Sequence, residues 1–135
     1  MIKGSCLCGK VSYEFDGVIE EIAMCHCSLC RKAQGGAFAT NSPVDARKLS
    51  FTGQEFISEF LEEEKKKIRA FCKNCGSPLY SMQTEMPEIK RLRMGTIETE
   101  FSCENKYHIF STSKASWHSI SDDYPQFEKA KLKKA

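Results

Sequence analysis

A mainly β fold stapled by metal is what three features of this chain predict. Apolar and polar residues alternate over short segments with a period of two, as in strands half-buried against a core. Turn signals separate these segments closely, and only one stretch reads as helix. The eight cysteines gather into C-x-C and C-x-x-C groups, which converge readily on a metal ion and suit parallel disulfides poorly. The 135 residues are therefore expected to form a single domain, residues 1–135, of antiparallel sheets with zinc-binding knuckles.

The elements follow in order. Cys6-Leu7-Cys8-Gly9 makes a glycine turn that opens a strand with Val11, Tyr13 and Phe15 on one face. A second strand, Glu20 to Met24, delivers the chain to Cys25-His26-Cys27-Ser28-Leu29-Cys30. The next residues, RKAQ, read as a turn or two of helix stopped by Gly35-Gly36. AFATN reads as strand, with Pro43-Val44-Asp45 as its breaker. Two or three antiparallel strands fill Lys48 to Phe71, and the charged EEEKKK run at 62–67 is read as a solvated loop tip. Strands are also expected at Pro78–Met82, Ile89–Gly95 and Tyr107–Thr112, the second with Arg91 and Arg93 facing water or a partner. PQFEKAKLKKA is a basic tail expected to fray.

Charge and context narrow the function. The formal net charge is +2, and it falls to about −1 if seven cysteines bind two zinc ions as thiolates. Bulk charge then gives no reason to expect nucleic-acid binding. No run approaches the roughly 18–20 apolar residues that span a bilayer, and the first residues lack a secretory apolar region. The expectation is a reduced, cytoplasmic zinc protein with no membrane partner.

Spacing divides the cysteines into two sites. Cys6-x-Cys8-Gly9 and Cys72-x-x-Cys75-Gly76 are comparable half-sites, and pairing them closes a four-thiolate structural zinc site. A rival arrangement uses Cys72 and Cys75 to complete the second cluster, which leaves Cys6 and Cys8 without partners. Under the first arrangement Cys25, Cys27 and Cys30 hold a zinc ion on three sides. Candidates for the fourth side are His26, Cys103, His108 or a molecule from solution. Three thiolates leave Zn²⁺ at net −1, a poor acidifier of water but a good holder of an exogenous thiolate. Arg31 and Lys32 follow Cys30 directly and are placed in sequence to offset that negative charge.

The segments GSCLCGKVSYEFDG, CHCSLCRKAQGGAFATN, FCKNCGSPLYS, RLRMGTIE and HIFSTSKASWHSISDDYPQFE together resemble the glutathione-dependent formaldehyde-activating enzyme family, from about Lys3 to Glu128. That family includes the domain shared with centromere protein V. The resemblance implies an Mss4-like fold. It further implies a structural zinc on Cys6, Cys8, Cys72 and Cys75 and a catalytic zinc on Cys25, Cys27 and Cys30. The implied activity joins glutathione to formaldehyde as S-hydroxymethylglutathione, a carbon–sulfur lyase reaction run in reverse. On this chain Arg31, Gly35, Gly36 and Trp117 become expected substrate-binding residues, with His26 and His118 as further pocket candidates. Cys103 departs from the family pattern. The competing function is a non-enzymatic zinc-binding interaction module, using the basic tail and the Lys90, Arg91, Arg93 cluster. A pocket beside Cys25, Cys27 and Cys30 large enough for a tripeptide thiol would separate the two.

Overall fold

The computed structural model describes residues 1–131, and within them ten strands form two sheets. The smaller sheet has the order β1-β2-β5, with β1 at Ile2–Ser5, β2 at Ser12–Phe15 and β5 at Leu49–Thr52. The larger has the order β10-β3-β4-β9-β8-β7-β6. Its members are β3 Ile22–Cys25, β4 Ala39–Asp45, β6 Ile57–Glu62, β7 Lys67–Cys72, β8 Pro78–Gln83, β9 Ile89–Arg93 and β10 Lys106–Ile109. All pairings are antiparallel except β10 with β3, which run parallel. The mainly β architecture agrees with expectation, and the single α-helix among the described residues, α1 (Ser28–Gln34), follows β3.

Period-two alternation gives the large sheet two distinct faces. On one face Ile22, Val44 and Leu92 meet Ile2, Tyr13, Phe15 and Leu49 of the small sheet, forming the main core. A second cluster, with Val11, Ala70, Cys72, Leu79 and Tyr80, continues that core beneath the β7–β8 hairpin. The opposite face carries most of the sheet's charged residues alongside Ala39, Pro43, Tyr107 and Ile109. Register lines up Ala39 with Cys25, Asn41 with Arg93, and Pro43 with Arg91. It also lines up Arg91 with Ser81, Ser81 with Arg69, and Lys67 with Glu62. Residues two apart share a face, so Cys25, Asn41, Arg91, Arg93, Arg69, Lys67 and Glu62 all lie on this second side.

Several local expectations change. β1 pairs with β2 although its four residues carry little alternation of their own. Pro43 does not break β4, because β3 pairs with β4 only as far as Asn41 and leaves the strand open beyond it. The helix begins earlier than expected, at Ser28, with Cys27 as its N-cap. Glu62 and Lys67 belong to paired strands, so only 63–66 form the charged turn. β10 ends at Ile109, where Phe110 turns to φ 52° and a 3₁₀ turn covers Ser111–Ser113.

The start of the tail is also ordered. His108 N–H donates to the Pro125 carbonyl at 2.8 Å, Phe127 N–H to His108 at 2.9 Å, and Phe110 N–H to Lys129 at 3.0 Å. Residues 125–129 thus lace along the outer edge of β10. The rest of the expected basic tail, 132–135, lies outside the described residues.

Candidate active site

Cys6 and Cys8 sit in the turn leaving β1, while Cys72 ends β7 and Cys75 lies in the β7–β8 turn. Their four sulfurs lie within 4.8 Å of one another. Gly9 at φ 79° and Gly76 at φ 81° supply the left-handed corners these turns need. Val11 N–H donates to Cys6 Sγ at 3.3 Å, the kind of bond that steadies a thiolate. The Ser77 hydroxyl and backbone pull Cys75 down to about 5, while burial pushes Cys72 up to about 11. Four converging sulfurs with mixed proton affinities fit a tetrahedral cation that replaces the shared protons.

The second cluster is assembled by the end of β3 and the start of α1. Cys25, Cys27 and Cys30 also bring their sulfurs within 4.8 Å of one another. The Cys27 side chain caps α1 by accepting the Cys30 N–H at 3.3 Å, and Cys25 Sγ donates to Cys27 Sγ at 3.5 Å. Hydrogen bonds from Cys25 and Cys27, then the positive charges of Lys67 and Arg69, pull Cys30 far below the usual thiol range. Cys25 is pushed far up by the bonds it makes to Cys27 and Cys30 and by burial. Three converging sulfurs, with Cys30 held towards its thiolate, form a donor set suited to a divalent metal.

Among the described residues no fourth protein ligand joins this cluster. The fully buried His26 turns away, and its Nε2 lies 2.7 Å from His108 Nδ1. His108 Nε2 in turn lies 3.0 Å from both Asp122 carboxylate oxygens. Phe38 and His118 rings pack around His26, and burial with the neighbouring cations lowers its pKa to about 4. The Cys103 thiol points to the Asn105 carbonyl and packs against the small-sheet core.

The three-cysteine cluster opens into a cleft of about 850 Å³ on the polar face of the large sheet. Lys65, Lys67, Arg69, Arg91 and Lys131 line it, against the carboxylates Glu21 and Glu62. Arg69 Nη2 reaches Cys30 Sγ at 3.8 Å, and Arg69 is also ion-paired with Glu62. Asn41 forms part of the floor, and Tyr107, Ile109 and Phe110 form the β10 side. Burial and the charges of Arg69 and Arg93 lower the Lys67 pKa, while the negative charge on Cys30 opposes the shift. Burial likewise brings Arg93 down to about 10.

The expected substrate residues stand elsewhere. Arg31 donates to the His26 carbonyl at 3.3 Å and to the Ser113 carbonyl at 3.2 Å, tying the cysteine loop to the 3₁₀ turn. Gly35 is the left-handed C-cap of α1 at φ 73°, with Gly36 behind it, and neither lines the cleft. Trp117 is 70% exposed, and it too stands off the cleft wall, as do His26 and His118. Of the cations that line the cleft, Arg91 and Lys131 figured in sequence only within the basic patch and tail of the interaction-module reading, and Lys65, Lys67 and Arg69 were not singled out as site residues. Their one visible signal was the period-two placement of Lys67 with Arg69 and of Arg91 with Arg93.

A mainly β domain with two cysteine clusters able to hold metal, one of them facing a cationic cleft, is the class these features define. The chain matches the family described as glutathione-dependent formaldehyde-activating enzyme over residues 1–113, and it belongs to that family. It is 32% identical over 87 residues to an uncharacterised lyase of Schizosaccharomyces pombe. That match covers 61% of this chain and 58% of the relative, so the chain spans little more than half of that protein's length. A crystal structure of a Rhodobacter sphaeroides protein shares the fold, with a TM-score of 0.61 and 23% identity over 77% of this chain and 97% of that one. No helix among the described residues is long and apolar enough to cross a membrane.

Proposed function

We propose that this protein is a cytoplasmic, zinc-dependent enzyme of the carbon–sulfur lyase type that joins glutathione, or a related thiol, to formaldehyde or a similar small carbonyl. The observation that carries this reading is the three-sulfur cluster, with no fourth protein ligand, at the wall of a cationic cleft. In this reading Cys6, Cys8, Cys72 and Cys75 hold a structural zinc, and Cys25, Cys27 and Cys30 hold the catalytic one. A zinc ion at the second site would supply a place where a thiol is kept as its thiolate at neutral pH.

The chain's own residues account for the rest. Arg91, Lys65 and Lys131 stand along the cleft at positions suited to the carboxylates of a tripeptide thiol. Lys67, Arg69 and Asn41 line the floor near Cys30 and are the donors available to the oxygen that becomes a hydroxyl. The cationic lining also favours a second negative sulfur near a cluster that is already negative. Arg31 enters as the tie that fixes the cysteine loop. Of the residues the interaction-module alternative would use, Lys90 lies over the Tyr80 and Phe51 rings and Arg91 lines the cleft.

Cobalt-loaded protein titrated with glutathione tests the reading, because the cobalt spectrum responds to an added thiolate ligand. The expected result is a spectral change that saturates with glutathione and disappears in Cys27→Ser. An unchanged spectrum at millimolar glutathione would sink it.

A further inference from the structure

Positive charge is concentrated beside the three sulfurs, with Lys67 and Arg69 in the cleft wall and Arg93 behind it. Lys67 and Arg69 on β7 and Arg93 on β9 share the face that carries Cys25. Arg69 and Arg93 are only 9% and 4% exposed. Glu62 pairs with Arg69, yet Arg69 and Arg93 each keep a buried Nη1 without a hydrogen-bond partner. Two guanidinium groups held this deep are unfavourable unless anions meet them. Lys65, Arg91 and Lys131 line the same cleft and are available to the carboxylates of the thiol. Arg69 is different, because its Nη2 is already 3.8 Å from Cys30 Sγ. A cation that near the sulfur cluster meets atoms beside the reacting carbon. The carboxylates of glutathione lie several bonds further along the peptide.

We infer that Lys67 and Arg69, backed by Arg93, form a carboxylate subsite for the carbonyl partner, and that the preferred electrophile is a small 2-oxo acid of the size of glyoxylate. The inference rests on the thiol-adduct reading above. In the step, a thiolate lone pair forms the C–S bond and the carbonyl π pair moves to oxygen. That oxygen takes one proton from solvent. No electron is gained or lost, and the product is a hemithioacetal with its carboxylate intact. Lys67 and Arg69 hold the carboxylate and thereby aim the carbonyl carbon at the sulfur.

Exchange NMR on the zinc-loaded protein with glutathione compares adduct formation, above the uncatalysed rate, for glyoxylate and for its neutral methyl ester. The expected preference for the acid is on the order of tenfold, the worth of one charge-assisted bond. Acetate should inhibit competitively against the carbonyl and not against glutathione. It should also shift arginine Nε–H resonances in thiol-free protein, a readout independent of turnover. In Arg69→Gln with Glu62→Gln, paired so that no carboxylate is left unmatched, the acid-to-ester ratio should fall to about one. The wild-type comparison and the acetate competition decide the matter if that variant does not fold. Equal acceleration of acid and ester, or acetate competing with glutathione alone, overturns the subsite and leaves the thiol reading standing. No acceleration with any carbonyl overturns both.

Discussion

Arg69 joins the edge of the large sheet to the sulfur cluster, through Glu62 on one side and Cys30 on the other. The Arg69 and Glu62 side chains are 11% and 14% exposed, so the pair is enclosed but not sealed. Removing one partner of a buried pair strands the other charge, whereas removing both does not. Arg69→Met is therefore expected to lower unfolding free energy by about 2 to 4 kcal/mol, towards the low side of the buried range. The double change Arg69→Met with Glu62→Leu should recover at least half of that loss. Chemical denaturation of the two variants beside wild type provides the check, and equal losses would refute the pairing argument. His26 illustrates the limit of reading single residues from sequence. Its place between two cysteines made it a candidate ligand, but the backbone alternation that brings Cys25 and Cys27 to the cluster turns the imidazole towards His108.

The strands depend on turns that local sequence describes unevenly. Gly53 links β5 to the 3₁₀ turn before β6 at φ 82°, and a Cβ there would run into the Lys10 carbonyl oxygen. Gly53→Ala combines left-handed strain with a backbone clash, and is expected to destabilise by at least about 2 kcal/mol, measured by thermal unfolding. An unchanged midpoint would mean that the turn relaxes freely. β2 and β5 were legible because their alternation reflects a buried face and an open one, and β6, β8 and β9 were legible from sequence pattern although their burial does not alternate. β4 across Pro43 and β1 were not. A proline is harmless only where the neighbouring ladder has ended, and that depends on β3, about twenty residues earlier in the chain. The end of β10 was also hidden, since Phe110 leaves the strand by a positive φ that nothing in HIFST announces. Arg91 and Arg93 showed a polar face. Whether that face met solvent or a cleft was decided by α1 and the C-terminal lacing, which the strand itself does not encode.

Taken together, the two cysteine clusters divide the labour of the fold. Cys6 and Cys8 lie beside the small sheet and Cys72 and Cys75 on the large one, so a metal there cross-links the sheets. Cys25, Cys27 and Cys30 lie within one short segment and span no such distance. Cys72→Ser is therefore expected to reduce stability by several kcal/mol and to loosen β1 in hydrogen exchange, while Cys27→Ser leaves the exchange pattern of β1 intact. Equal loss of β1 protection in both variants would contradict this division. Both clusters were readable from spacing alone. The surrounding charge was not, because β6, β7 and β9, the 63–66 turn, Glu21 and Lys131 each contribute to it, and only the fold brings them beside the cysteine loop. The lacing of residues 125–129 along β10 has a practical corollary, since Ala130 and Lys131 stand on the lip of the cleft. An oligohistidine handle fused downstream follows on from a residue of the cleft wall, so its imidazoles would compete for the unshared side of the three sulfurs. A handle fused ahead of Met1 begins next to β1, on the remote small sheet, and is the arrangement to choose for assays of this site.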